Sequence, residues 1–187
     1  MKAATPLSRQ GVLGMSTGEP NALNEARTGR GGAVETRHEG RPGKRTVLSG
    51  LLFGGGIAAS IIDLFIFHLG LQWHHFYDLS TSEVALVSDG FFHAFGWFIT
   101  VWGLFLLADI RRRGGGNWKR WAGAVVLGIG SFQLLDGVLN HKILGIHQIR
   151  YDVDLLMYDT VWIGSAVLFM VIGLPVLRMT GSGRRAR

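Results

Sequence analysis

The chain contains no cysteine. It therefore forms no disulfide, no thiolate-bound zinc site and no iron–sulfur cluster, and cysteine usage gives no clue to redox compartment. Charged residues are also scarce, at 17% of 187 residues. No apolar stretch lies close to Met1, so the sequence does not open like a signal peptide. Glu-x-x-His, the marker of soluble di-iron bundles, is missing from the apolar segments.

In place of charge there are long apolar runs and 28 glycines. That profile belongs to a polytopic membrane protein rather than a soluble domain, and the bilayer is the first partner it implies. A net charge of +6 can signal nucleic acid. Here the basic residues sit in the two tails and one loop instead of on a folded face, which points away from nucleic acid and towards membrane orientation.

Residues 1–45 are rich in Gly, Arg, Ser, Thr and Glu and carry almost no apolar periodicity. They read as a disordered basic tail, with Met15 as an alternative start. Four apolar segments follow, at about 46–73, 84–108, 121–144 and 155–177. At 1.5 Å per residue each is long enough to cross a hydrocarbon core of about 30 Å. A basic tail, 179–187, closes the chain. Lys and Arg cluster before the first span, between the second and third, and after the fourth. Both termini and the middle loop are therefore expected in the cytoplasm.

Ionisable residues are costly inside such spans and tend to mark function. Asp63, His68 and His74 are spaced five and then six residues apart, and Asp136, His141 and His147 repeat that spacing. An offset of 73 superimposes the two sets and also lays Gly50 on Gly123 and Gly55 on Gly128. An offset of 70 lays Asp89 on Asp159. The expected fold class is an all-α membrane protein, with four transmembrane helices arranged as two tandem helical-hairpin repeats forming a bundle.

At about 100° per residue, Asp63 and His74 lie within about 20° of each other on an α-helix, as do His68 and His75. This predicts two separate stripes on the first helix. Asp89 and His93, four apart, share a face of the second. The expected centre is a polar pocket between four helices, opening towards the outer surface. Its candidate metal ligands are His68, His74, His75, Asp89, His93, His141, His147 and Asp159. Asp63, Asp136 and Gln72 are expected to hold those ligands in place. Imidazole with carboxylate suits a transition metal ion: copper, zinc or iron. Met157 is read as packing, Gln72 and Gln133 as bonding across helices, and the tryptophans as interface belts or packing.

The same residues allow other readings. An enzyme of the metal-dependent oxidoreductase or hydrolase kind would use the same ligands around an open position. His68 and His141 have the placement of axial ligands in a b-type haem electron carrier. Asp63 and Asp136 suit a proton or ion pathway.

The Leu71-Gln72-Trp73-His74-His75 pentad, Ser88-Asp89-Gly90-Phe91-Phe92-His93, and Asp136-Gly137 before His141 resemble the DUF2243 family of uncharacterised four-span bacterial membrane proteins. The resemblance covers about 47–177. It implies a multi-pass protein of the bacterial inner membrane and no particular activity. Some relatives appear alongside cytochrome oxidase assembly proteins, which implies a respiratory-chain or assembly partner and, with it, copper supply.

Overall fold

The computed structural model describes residues 42–182. The tail predicted over 1–45 lies almost wholly outside the described residues, as do 183–187 of the closing tail. Among the described residues the structure is helical, with no strand. Helix α1 runs over Pro42–Ile57 and continues as a π-helical segment, Ala58–Gly70. Helix α2 is Ser82–Arg112. Helix α3 is Trp118–Leu135 and likewise continues as a π-helical segment, Asp136–Leu144. Helix α4 is Leu155–Ser182. Four helices, Gly43–Gly70, Ser82–Arg112, Trp118–Leu144 and Leu155–Thr180, are long and apolar enough to cross a membrane.

Local chemistry sets several of the boundaries. Thr81 precedes α2 in extended conformation and its hydroxyl accepts from the Val84 amide. Asn117 does the same for α3, accepting from the Arg120 amide at 3.0 Å. The α3 unit ends where Gly145 turns into the left-handed region, at φ 60°. Gln72, 73 residues earlier, takes φ 51° just past the end of α1.

Small residues bring α1, α2 and α3 together, as the glycine-rich sequence suggests. A side chain on Gly128 would start 2.9 Å from the Gly55 backbone nitrogen, so α1 and α3 touch at glycine against glycine. Gly103 meets Phe53 equally closely on the α2 side. Buried Ser49 links all three helices, donating to the Gly103 carbonyl at 2.8 Å and accepting from the Trp121 indole at 3.1 Å. Helix α4 packs on α3, where Gln133 donates to Ser165 at 2.7 Å.

The molecule is apolar outside and polar inside. Phe91, Phe95, Phe105, Leu156 and Val161 are exposed, while Asp63, His68, Asp89, His93, Asp136 and His141 are buried. A bilayer makes sense of that distribution: lipid covers the aromatic faces, and ionisable groups turn inwards to partners. Trp97, Trp102 and Trp118 face outwards, whereas Trp121 and Trp162 are buried in packing.

The π-helical segments change which residues share a face. Their hydrogen bonds run from i to i+5, so residues five apart stack. Asp63 therefore sits over His68, and Asp136 over His141. The two angular stripes expected from α-helical periodicity merge. His74, His75 and His147 lie beyond the helix ends, on the loops, where helical angles do not apply.

Candidate metal centre

Each π-helical segment delivers an aspartate and a histidine, and the loop behind it folds a second histidine back onto them. The Trp73 amide donates to the Phe67 carbonyl at 2.9 Å, and the Ile146 amide to the Asn140 carbonyl at 3.1 Å. These equivalent bonds turn the chain so that His74 and His147 point inwards. In the first half, His68 Nε2 is 3.3 Å from Asp63 Oδ2 and His74 Nε2 is 4.0 Å from Asp63 Oδ1. In the second, His141 Nε2 is 3.0 Å from Asp136 Oδ2 and His147 Nε2 is 3.5 Å from Asp136 Oδ1. All six residues are buried.

The far side of each loop histidine is held by backbone. His74 Nδ1 donates to the Ile149 carbonyl at 2.9 Å, and His147 Nδ1 donates to the Phe76 carbonyl at 2.8 Å. A carbonyl only accepts, so each Nδ1 carries the hydrogen and each Nε2 presents a lone pair to the cluster. Burial, reinforced by neighbouring His147 and His68, pushes His74 down to about 3, so it is neutral at physiological pH. His93 on α2 follows the same rule, with Nδ1 donating to the Ala59 carbonyl at 2.6 Å. Histidines that bind metals are oriented in this way.

Among the described residues, buried side-chain atoms without a hydrogen-bond partner gather here. They include Asp63 Oδ1, His68 Nε2, His74 Nε2, Asp136 Oδ2 and both ring nitrogens of His141. An unpartnered buried polar atom typically costs about 1–3 kcal/mol. Set in Asp–His pairs 3.0–4.0 Å apart, these atoms can share a proton or a cation. Three groups have ligand atoms that all lie within 4.8 Å of one another: Asp63/His68/His74, His68/Asp89/His93 and Asp136/His141/His147.

The aspartates expected to stand behind the ligands are thus members of the groups. Asp89 links His68 to the half-exposed His75, accepting from His75 Nδ1 at 2.6 Å. Asp159 is not brought to the histidines; Lys142 engages its Oδ2 at 2.6 Å. Gln72 is exposed and shapes the turn after α1, leaving Gln133 as the glutamine that bonds across helices. The carbonyls of Ala59, Phe76 and Ile149 are participants that side-chain patterns could not reveal.

This cluster, its π-helical segments and the pentad that ends in His74-His75 all fall within residues 49–180, which match the model of the family described as predicted membrane protein (DUF2243). The chain belongs to the DUF2243 family. No curated protein and no solved structure matches it. As a member of DUF2243 the chain is an integral membrane protein, and its buried His/Asp groups could hold a metal ion.

Proposed function

We propose that the two Asp/His/His triads bind first-row transition metal ions and that the protein handles such ions in the membrane. The carrying observation is the pairing of lone-pair atoms within each triad with carbonyl-fixed nitrogens behind them. In a tetrahedral site with bonds of about 2.0–2.1 Å, neighbouring ligand atoms are about 3.4 Å apart. The four Asp–His separations, 3.0–4.0 Å, lie around that value, and the ligand atoms of each triad all lie within 4.8 Å of one another. Imidazole and carboxylate without thiolate suit zinc, copper or iron.

Two equivalent triads support the reading of the bundle as a duplicated hairpin. The reciprocal bonds reinforce it: His74 and His147 each bond the carbonyl two residues beyond the other. The positive-inside pattern supports cytoplasmic termini, with the proposed metal centre near the outer face of a cytoplasmic membrane. Delivery to a respiratory or assembly partner is the use that the family resemblance suggests.

Each triad supplies three ligands, the number a catalytic zinc site uses while keeping a fourth position open, and this favours a metal enzyme as the second reading. A haem carrier is disfavoured. An axial histidine needs a ring nitrogen open to the iron, and both His68 nitrogens face carboxylates, Nε2 to Asp63 at 3.3 Å and Nδ1 to Asp89 at 2.9 Å.

Elemental analysis of the full chain, purified in detergent and exposed in turn to zinc, copper and iron, tests the reading. Retained metal with a raised unfolding temperature is expected. Folded protein that stays empty, and melts at the same temperature with and without metal, rejects it.

A further inference from the structure

We propose that His68, Asp89 and His93 form a loading position for a divalent transition metal ion, and that His68 passes the ion inwards to Asp63 and His74. The proposal rests on the metal reading above and adds a route and an asymmetry to it.

His68 is shared between two groups. Its Nε2 faces Asp63 Oδ2 at 3.3 Å, while its Nδ1 faces Asp89 Oδ1 at 2.9 Å and His93 Nε2 at 3.2 Å. The ligand atoms of His68, Asp89 and His93 all lie within 4.8 Å of one another, and all three residues are buried. His93 is pinned through Nδ1 to the Ala59 carbonyl, so its free lone pair points at His68. A ring with one nitrogen in each group can release an ion on one side and take it up on the other, with a change of tautomer and little change of position.

The outer group also has a way in. Asp89 Oδ2 accepts from His75 Nδ1 at 2.6 Å, and the His75 side chain is 34% exposed, against 9% for Asp89 and 1% for His68. An ion arriving at the loops meets His75 and Asp89 before anything deeper. The Phe76 amide donates to Asp89 Oδ1 at 2.6 Å and fixes the carboxylate between surface and interior.

The second half lacks two of the three parts, and its third is engaged elsewhere. Gln148 stands 73 residues after His75, and Ile163 stands 70 residues after His93. The Gln148 amide is spent on the His141 carbonyl at 2.9 Å. Asp159, the equivalent of Asp89, is held by Lys142. His141 faces its own aspartate at 3.0 Å, with the rings of His147, Trp162 and His74 at centroid distances of 4.7, 5.8 and 6.0 Å, and no counterpart of Asp89 or His93 joins its group. The first half exchanges its ion, and the second retains one.

Zinc-loaded full-length protein, mixed with excess EDTA and a chromogenic zinc indicator, provides the test. The wild type should release zinc in two phases, one fast and one slow. His93→Gln should slow the fast phase, because the ion leaving Asp63 and His74 loses a ligand of its exit position. His75→Gln should slow it in the same direction. If Asp89 and His93 only support His68, the sign reverses: a weakened site loses its zinc faster. A single release phase in the wild type overturns the proposal. So does a fast phase that is unchanged or quickened in the variants. Should His93→Gln misfold, His75→Gln decides alone, because that side chain is half exposed on a loop. Wild-type protein that binds no zinc fails the metal reading itself, a result distinct from zinc bound but released without regard to His75 or His93.

Discussion

The imidazole rings of His74 and His147 lie face to face, with centroids 4.8 Å apart and planes only 4° from parallel. Each is aimed by the loop that carries the other, through the carbonyls of Ile149 and Phe76. The two loops therefore close as one lid over the bundle, tied again by the Asp78 amide to the Ile146 carbonyl at 2.9 Å. A change in either loop is felt by the histidine of the opposite half.

The first prediction concerns orientation. Five basic residues flank the turn between α2 and α3: Arg111 and Arg112 end α2, Arg113 follows it, and Lys119 and Arg120 open α3, while the loops on the histidine side carry far fewer. Reporter fusions at Gly114 and after Arg187 should read cytoplasmic, and a fusion at Asp152 should read on the opposite side. A periplasmic signal at Gly114 or Arg187 rejects this orientation, and the outer position of the metal centre with it.

A second prediction tests the glycine contact. Gly128→Val places a side chain where the Gly55 backbone nitrogen is 2.9 Å from the first carbon. Overpacking of this kind costs about 1–3 kcal/mol or more. The variant should unfold at a clearly lower temperature in detergent. Gly164→Ala on α4, with nothing within 4 Å of the added carbon, should leave the melting temperature unchanged or raise it. Equal behaviour of the two variants would show that α1 and α3 do not meet there.

Much of this architecture is legible in the sequence. Four apolar runs separated by polar or basic loops specify four helices, and the glycines of the first and third runs allow close helix approach, without naming which helices meet. The duplicated Asp-His-His spacing pointed to the residues that gather. The angular argument failed because it assumed 3.6 residues per turn across Ala58–Gly70 and Asp136–Leu144, which are π-helical. The signal was present: an aspartate and histidine five apart, twice, is the spacing that i→i+5 bonding stacks. The pairing of Asp159 with Lys142 also has a trace in sequence, as two ionisable residues at neighbouring helix ends. The carbonyl partners of His74, His93 and His147 left none, because every residue has a carbonyl.

The third prediction follows from that pairing. Asp159 was expected among the ligands, yet Lys142 holds its Oδ2 and it belongs to none of the three groups. Asp159→Asn should retain the wild-type metal content by elemental analysis. Asp136→Asn should lose metal from the second half, because Asp136 lies within 3.0 and 3.5 Å of His141 and His147. Loss of metal in Asp159→Asn would return that residue to the ligand set.

The last prediction separates ligands from packing. His68→Gln and His141→Gln keep a polar side chain of similar reach but supply a poor ligand. Histidines that only bridge helices should tolerate the change, since interhelical hydrogen bonds in membranes average about 0.6 kcal/mol. Ligands should not: each variant should lose the metal of its own half and keep that of the other. In the metal-free state both variants should melt close to the wild type. The metal-dependent rise in melting temperature should shrink in each variant. Elemental analysis and paired melting curves, with and without zinc, read both quantities from one preparation. Equal metal content in the wild type and both variants would show that the deep histidines are not ligands, leaving His74, His75, His93 and His147 to carry the site.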